Sequence, residues 1–291
     1  MTGLLEVAPE VAAAVRHGQA VVALETSIVG QGLPAPHNLR AAHGCEAAIR
    51  KEGAVPATVA VLDGVVRVGL GDGDLERIAA SALKVSSRDL GPAVVQRNAG
   101  ATTVAATMRA AALAGIRFLA TGGIGGVHRG HPEDQSADLE ELARTPVAVF
   151  CAGAKIILDL ALTLERLESL SVPVIGYGCD EFPAFYTASS GHRVSARADG
   201  EAQAAAMLRA AWETGTRGVV VAVPPPADLE GAERMAQRAA DELAGVAGSE
   251  LTPRLLARMA ELSGGRSVEL NVDLVVNNAR IAARVARAFA A

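Results

Sequence analysis

The chain has 291 residues, and 50% of them are hydrophobic, which is enough for a large buried core. Its formal net charge is −5 at pH 7, and only 3% of its residues are aromatic. An acidic chain with so few rings lacks the basic surface and the stacking platforms of nucleic-acid-binding proteins, so no nucleic-acid partner is expected. The length permits one large α/β domain or two smaller ones.

Three cysteines, Cys45, Cys151 and Cys179, are widely spaced and form no C-x-x-C pair. Neither a disulfide framework nor a thiolate zinc site is therefore predicted, and a reducing, cytoplasmic setting is expected. The first residues, MTGLLEVAPEVAAAVRHGQ, carry early acidic groups and no long apolar run, unlike a secretory signal. No stretch reaches the roughly 18 apolar residues of a spanning helix, so no membrane partner is expected.

Short β-branched runs alternate with longer Ala- and Leu-rich helical patterns along the chain. The first part predicts a strand, a helix closed by Gly53, a hairpin with a type I′ turn at Asp63-Gly64, and two more helices. These elements cover residues 20–29, 36–53, 57–70, 75–82 and 102–116.

The second part of the chain continues the alternation. It predicts strands over 117–123, 146–151, 172–178 and 218–226, helices over 136–145, 154–170 and 200–215, and a helical C-terminal third ending with 272–290. Continuous apolar strands between helices are typical of a largely parallel sheet covered on both faces. We expect a single α/β domain over residues 1–291, with ligands bound where strands end and helices begin.

The first such junction, ALETSIVGQGLPAP, contains Glu25 at the end of an apolar strand. A buried carboxylate without a partner is costly, so this residue requires an explanation. Two interpretations remain open at this point. Glu25 is either a carboxylate satisfied by a nearby backbone N–H or a functional acid.

The second junction, ATGGIGGVHRGHPEDQSADL, starts with four glycines that permit close approach of the backbone to a ligand. Their spacing matches neither a dinucleotide fingerprint nor a P-loop. Ser136 and Asp138 open the next helix, where Ser136 is either a phosphate ligand or an ordinary N-cap.

The polar residues between these glycines and that helix could bind a metal. His128 and His131 have a zinc-like spacing, but no third nitrogen or sulfur ligand accompanies them. Asp134 alone could anchor a hard cation such as Mg²⁺ or Mn²⁺ that keeps most of its waters.

The third junction, FCAGAK, ends in Lys155, the first charged residue of the segment AVFCAGAKIILDLAL. A free lysine amine is neutral in only about one molecule in 2,500 at pH 7. The predicted helix start and the apolar surroundings would both lower its pKa, as for a Schiff-base lysine. The alternative is a lysine whose stem lies along the surface. Lys84, in LKVSSRDLG, is either a surface residue or a fixed charge for a phosphate or carboxylate.

Taken together, these motifs resemble the pseudouridine-5′-phosphate glycosidase family, also labelled indigoidine synthase A-like. The matching segments, in family order from about residue 20 to 283, are VALETSIVGQGLP, KVSSRDL, TTVAATM, FLATGGIGGVHRG, SADLEELARTPVAVFCAGAKIILDL, VPVIGYG with FPAF, and NNAR. The resemblance covers nearly the whole chain, and its SADL-to-ILD block is long and specific.

The resemblance implies reversible cleavage of the C–C glycosidic bond of pseudouridine 5′-phosphate to uracil and ribose 5-phosphate. It implies a three-layer α/β/α domain around a mixed, largely parallel sheet, a homotrimer, and Mn²⁺ in the site. By position, it makes Lys155 the nucleophile, Glu25 the proton donor and Asp134 the metal-linked aspartate. The substrate-binding positions that it implies are Lys84, Val104, His128, Ser136, Ala137, Asp138 and Asn278.

Two other functions remain open from the sequence. One is a Schiff-base lyase or aldolase that acts on another phosphosugar, using Lys155 and the phosphate site without base contacts. The other is a non-catalytic phosphosugar-binding protein, which would need neither Glu25 nor Lys155. Uracil release from pseudouridine 5′-phosphate would separate all three.

Overall fold

A computed structural model of the chain describes residues 3–80, 83–243 and 251–291. Its strands are β1 (Leu5–Val7), β2 (Val21–Leu24), β3 (Val55–Leu62), β4 (Val65–Val68), β5 (Leu83–Val85), β6 (Gly100–Thr102), β7 (Phe118–Ala120), β8 (Val127–His128), β9 (His131–Gln135), β10 (Ala148–Cys151), β11 (Leu158–Asp159), β12 (Val174–Tyr177), β13 (Ala196–Ala198) and β14 (Val219–Ala222).

The helices are α1 (Pro9–Arg16), α2 (His37–Lys51), α3 (Asp74–Ala79), α4 (Leu90–Val95), α5 (Val104–Leu113), α6 (Ala137–Arg144), α7 (Leu160–Ser169), α8 (Glu201–Glu213), α9 (Ala232–Glu242), α10 (Leu251–Leu262) and α11 (Arg266–Ala290). A turn of π-helix covers Ile28–Gly32. Among the described residues, no helix combines the length and the apolar composition needed to cross a membrane.

The central sheet follows the order β1-β4-β3-β2-β7-β10-β14-β12-β13, with β6 beside β3 and β5 beside β6. Its pairs are parallel except for β3 with β4 and β3 with β6. The expected mixed, largely parallel sheet is therefore confirmed. The central strands β2, β10 and β14 are buried at every position, as expected for a sheet covered by helices.

Helices pack on the sheet and on one another to complete the α/β architecture. The long helix α11 packs against β2, β7 and β10 and contacts α2 and α8, whereas α5 packs against β2, β3 and β7 and contacts α6. Three strands outside the main sheet, in the order β11-β8-β9, form a small antiparallel sheet. This small sheet connects the segment after β7 to the segment after β10.

Many predicted elements are confirmed, including the helix from His37 and the hairpin. Asp63 and Gly64 have φ values of 55° and 85°, as a type I′ turn requires. Gly53, with φ 76°, follows helix α2 in the left-handed conformation. Residues 81 and 82 of the predicted helix over 75–82 lie outside the described residues.

Two predicted boundaries are wrong at the functional junctions. The strand predicted over 20–29 ends at Leu24, and the SIVGQG segment turns into π-helix. The helix predicted over 154–170 begins only at Leu160. Lys155 therefore lies in a non-helical segment, so the argument from a helix N-terminus does not apply to it.

Candidate active site

The three central parallel strands β2, β7 and β10 end at the same edge of the sheet. Glu25 follows β2 directly, Thr121 follows β7 directly, and Lys155 comes four residues after the end of β10 at Cys151. Backbone hydrogen bonds join these exits: Thr121 N donates to Phe150 O, and Ala152 N donates to Gly122 O. The predicted junctions thus form one contiguous region.

Glu25 is buried, and both of its carboxylate oxygens have partners. Oε2 accepts from the Ser27 hydroxyl at 2.7 Å and from Ile28 N at 3.0 Å. Oε1 accepts from the Thr121 hydroxyl at 3.2 Å. The turn after β2 therefore supplies donors that offset the cost of burying this carboxylate, and Oε1 faces the end of β7.

Asn278 of α11 fixes the backbone just after Thr121. Its Nδ2 donates to Thr121 O at 2.8 Å and to Gly122 O at 3.3 Å. Since two carbonyls face Nδ2, the orientation of the amide is determined. Among the described residues, its Oδ1 is buried without a hydrogen-bond partner, as is Oδ1 of Asn271, about two turns earlier on the same helix.

The glycines after β7 are explained by close packing. A Cβ on Gly123 would lie 2.6 Å from the Phe185 ring, and a Cβ on Gly125 would lie 2.3 Å from Ser136 Oγ. A Cβ on Gly126 would lie 2.3 Å from Thr163 Oγ1. These positions therefore let neighbouring side chains reach the backbone, rather than leaving open space for a ligand.

Lys155 lies in a segment held from both sides. Gly153 and Ala154 form bridges to Ala184 and Ile124, and Lys155 N donates to Ile124 O at 3.3 Å. Gly153 has φ 77°, and a Cβ there would lie 1.8 Å from Pro183 O. Only glycine fits at this position, because any side chain would collide with the Pro183 carbonyl.

The charges of the candidate residues act on one another. Burial lowers the pKa of Lys84, and the positive charge of Lys155 lowers it further, while Asp138 and Glu25 oppose the shift. Lys84 nevertheless keeps solvent contact. Lys84, Lys155, Glu25 and Asp138 therefore share one electrostatic environment, as expected for parts of a single site.

The predicted phosphate-binding residues have distinct structural roles. Ser136 Oγ accepts from Asp138 N at 3.2 Å, which is the ordinary N-cap arrangement. Asp138 is buried: Oδ1 accepts from Ala105 N and Oδ2 from Gly125 N, each at 2.9 Å. Asp138 thus fastens the start of α5, where Val104 lies, to the glycine segment. Ala137, between Ser136 and Asp138, is exposed.

His128 and Asp134 lie together on the small sheet. His128 Nδ1 is 3.1 Å from Asp134 Oδ2 and 3.2 Å from the Asp134 carbonyl oxygen. His131 is instead exposed beside Glu133, so the two histidines do not form a zinc site. Within the described residues, no group of three or more His, Cys, Asp or Glu side chains is arranged to hold a metal.

The cysteines do not provide a competing nucleophile. Burial raises the pKa of Cys151, in the same FCAGAK segment as Lys155, to about 12. Burial likewise raises the pKa of Cys179 to about 11. Both thiols therefore stay protonated near pH 7.

Sequence reasoning missed the residues that support the site. Thr26 and Thr102 are fully buried, and the hydroxyl of each donates to Val59 O at 2.7 Å, while Thr107 donates to Thr102 Oγ1 at 2.9 Å. This network joins the ends of β2 and β6 to α5. The only signal in the sequence was the clustering of threonines beside apolar runs, which is also common in ordinary strands.

A buried acid and a lysine that follow the carboxyl ends of parallel strands, with a second lysine on β5, are typical of an α/β enzyme for a small anionic substrate. The chain belongs to the family described as indigoidine synthase A like protein, whose profile matches residues 10–288. The family expected from the sequence motifs is therefore confirmed.

Relatives of similar length share about half of their residues with this chain. A pseudouridine-5′-phosphate glycosidase from Nocardioides sp. is 53% identical over 298 residues, covering 99% of this chain and 97% of the relative. The glycosidase of the same name from Escherichia coli is 48% identical over 298 residues, covering 98% and 96%.

Two solved structures share the fold. The prealnumycin C-glycosynthase AlnA, in complex with ribulose 5-phosphate, has a TM-score of 0.91 and 36% identity, covering 100% of this chain and 98% of that one. An indigoidine synthase A-like protein from Thermotoga maritima has a TM-score of 0.88 and 29% identity, covering 99% and 97%.

The double role of Asp138 predicts a loss of stability on substitution. In Asp138→Asn, the amide nitrogen must face one of the two backbone N–H groups, so one buried donor loses its acceptor. We expect the free energy of unfolding to fall by about 1–3 kcal/mol, measured by urea denaturation. The control is Asp241→Asn, at an exposed position of α9, which should change it by less than about 0.5 kcal/mol. Equal stability of both variants would contradict the role of Asp138 in joining the start of α5 to the glycine segment.

Proposed function

We propose that this protein cleaves, reversibly, the C–C glycosidic bond of pseudouridine 5′-phosphate, giving uracil and ribose 5-phosphate through an imine on Lys155. One observation carries the proposal: Glu25 and Lys155 follow the carboxyl ends of β2 and β10, the two strands that pair with β7, and Thr121 at the end of β7 donates to Glu25 Oε1. This edge of the sheet brings together an acid and an amine, which are the groups that opening a sugar phosphate ring and forming an imine require. The names of the relatives in Nocardioides and Escherichia coli support this choice of substrate.

Glu25 is the acid that opens the sugar ring. Its Oε2 is occupied by a backbone N–H, which only donates, and by the Ser27 hydroxyl. Oε1 accepts from the Thr121 hydroxyl, which can accept as well as donate. The transferable proton therefore belongs on Oε1, from which it passes to the ring oxygen as the bond between that oxygen and C1′ breaks.

Lys155 supplies the electron pair that C1′ needs when the C–C bond breaks. Its ammonium group gives up a proton, Nζ bonds to C1′ of the opened sugar, and the nitrogen then loses a second proton. Carbon 5 of the base then takes a proton, the Nζ lone pair forms the C=N bond, and the pair of the C1′–C5 bond stays with uracil. Water adds to the imine and releases ribose 5-phosphate and the free amine, so the net reaction consumes one water.

The phosphate has a charged partner in Lys84. This amine lies in the field of Lys155, so two positive charges act on the same region. A phosphate dianion relieves their repulsion and places the sugar against both reacting groups. Val104 and the Ser136-Ala137-Asp138 turn lie on the two elements that Asp138 joins, so they would border the same group.

A divalent cation fits this site only with few protein ligands. Asp134 offers carboxylate oxygen, which suits Mn²⁺ or Mg²⁺, while water and the substrate phosphate would supply the remaining positions. Such a cation would supply positive charge to the phosphate. His128, bonded to the same carboxylate, would orient Asp134. The homotrimer stays a prediction of the resemblance, and the cytoplasmic location stays a prediction from cysteine usage.

A second candidate is the synthetic direction with a different acceptor. The likeness to the C-glycosynthase AlnA, bound to ribulose 5-phosphate, favours it because the same lysine and acid could join a sugar phosphate to a carbon nucleophile. The relatives named as glycosidases are more similar in sequence to this chain, at 48–53% against 36% identity. We therefore place pseudouridine 5′-phosphate first. Uracil release from that substrate separates the two candidates.

The role of Lys155 predicts a covalent adduct. Borohydride added during turnover, or with ribose 5-phosphate alone, should fix a pentose phosphate on Lys155, located by mass spectrometry of peptides. Lys155→Ala and Lys155→Arg should both lose uracil release, because neither side chain forms an imine. Glu25→Ala should release no uracil yet still trap ribose 5-phosphate, whose open-chain form needs no ring-opening acid.

The matched control for this experiment is Lys51→Ala, which removes an exposed lysine at the end of α2. It should keep both uracil release and the adduct. An adduct found on Lys84, or substantial activity in Lys155→Ala, would contradict the assignment of the nucleophile.

The lowered pKa of Lys84 predicts how substrate binding depends on pH. Protonated Lys84 binds the phosphate, so KM should rise as pH increases through a value below the ordinary lysine pKa of about 10.4. Lys84→Arg keeps its charge throughout this range and should remove that rise, whereas Lys84→Met should show a high KM at every pH. If KM still rises with pH in Lys84→Arg as it does in the unaltered chain, the rise comes from another group.

The assignment of Asp134 predicts metal dependence. Exhaustive treatment with EDTA should reduce uracil release sharply, and Mn²⁺ should restore it better than Zn²⁺, because an oxygen donor set favours hard cations. Asp134→Ala should resemble the chelated protein and respond weakly to added Mn²⁺. Glu133→Ala, at the neighbouring exposed carboxylate, is the control that should respond like the unaltered chain. Full activity after chelation would exclude a required metal.

A further inference from the structure

The segment that carries Lys155 contradicts its own sequence pattern. AKIILDLALTL is typical of a helix, yet the helix starts only at Leu160. In a helix begun earlier, the Leu158 carbonyl would accept from Leu162 N. Here Leu162 N donates to Asp159 Oδ1 at 2.9 Å, and the carbonyl has a different partner. Something outside the segment must therefore compensate for the missing helical bonds.

That partner is the guanidinium group of Arg129. Its Nε donates to Leu158 O at 3.0 Å, and its Nη2 donates to Ile156 O at 2.8 Å. One planar side chain thus binds the carbonyls of the first and third residues after Lys155. Because the guanidinium group is always charged, both are charge-assisted bonds, which are stronger than bonds between neutral groups.

The backbone of Arg129 is placed to make this contact. His128, its neighbour in β8, is paired with Leu158 of β11 in the antiparallel small sheet. Inside the segment, Leu158 N donates to Lys155 O at 2.9 Å, closing a turn that begins at the lysine itself. The outer nitrogen, Nη1, reaches Gln237 Oε1 of α9 at 3.4 Å.

We propose that Arg129 is a positioning residue for Lys155: its guanidinium group holds the turn after Lys155 out of the helix and so keeps Nζ directed at the substrate. Arg129 acts through backbone carbonyls and touches no reacting atom. For its effect on the reaction, this inference rests on the proposed function. For its effect on the segment, it stands on the hydrogen bonds alone.

Lysine cannot replace Arg129 fully in this role. Two carbonyls two residues apart need two donors in a fixed fork, which a guanidinium group provides and a single ammonium group on a flexible stem does not. Arg129→Lys should therefore retain the charge but lose part of the effect. Arg129→Gln removes the charge and shortens the side chain, so both carbonyls should lose their donor.

The test compares Arg129→Gln and Arg129→Lys with the unaltered chain in two measurements. The first is kcat and KM for uracil release, with the rate of borohydride trapping of ribose 5-phosphate. We expect kcat and the trapping rate to fall about 100-fold in Arg129→Gln and about 10-fold in Arg129→Lys, with KM changed less than about threefold. The second is hydrogen exchange of peptides over 152–162, which should become faster in the same order while α11 is unchanged.

Arg238→Gln is the matched control, since it removes an exposed arginine of α9 that pairs with Glu242. It should leave kcat, KM, the trapping rate and the hydrogen exchange over 152–162 unchanged. An unaltered trapping rate or unaltered exchange over 152–162 in Arg129→Gln would overturn the inference. Should that variant not fold, Arg129→Lys decides by the same criteria. Absence of trapping in the unaltered chain would instead count against the proposed function, and the exchange measurement would still decide the role of Arg129.

Discussion

The arrangement of the site depends first on the two hydrogen bonds that Asp138 accepts from Ala105 N and Gly125 N. One buried carboxylate, itself at the start of α6, binds the start of α5 and the glycine segment after β7. From Gly125 the constraint passes to Ile124, which bridges to Ala154 and accepts from Lys155 N. The position of Lys155 is therefore linked to the same carboxylate that the family resemblance assigns to substrate binding.

This dependence changes how substrate-contact residues at such a site should be interpreted. Both oxygens of Asp138 are engaged with the backbone, and Ser136 Oγ caps α6. A loss of activity on substitution of either residue would combine lost substrate contact with displaced backbone. Lys84 is the opposite case, because its side chain keeps solvent contact. Substitutions of Lys84 would therefore test the proposed phosphate contact more directly than those of Asp138.

Much of the fold follows from periodicity, and the boundaries at the site do not. The buried strands, helix α2 and the Asp63-Gly64 turn were predictable because local pattern and tertiary structure agree there. The segments after Leu24 and Ala154 were not. In the first, Ser27 and Ile28 turn back to satisfy Glu25, and in the second, Arg129 takes carbonyls that a helix would use. Both causes lie in tertiary hydrogen bonds, whereas Glu25 and Lys155 were recognisable because each breaks an apolar run.

The non-helical course of the chain at Lys155 also changes the physical account of its reactivity. A helix N-terminus would have disfavoured the charged amine and made its removal stabilising, and no helix begins there. What the structure offers instead is geometry: Gly153 admits no side chain, Ala154 is bridged to Ile124, and Arg129 holds the carbonyls beyond. Gly153 and Ala154 restrain the backbone before Lys155, and Arg129 restrains the backbone after it, while none of these contacts involves the Lys155 side chain. Preorganisation of this kind lowers the entropic cost of bringing an amine to a carbon centre, which is where large rate effects arise. The non-helical segment at Lys155 is thus held by bridges and hydrogen bonds from outside it, which present one amine at the edge of a parallel sheet.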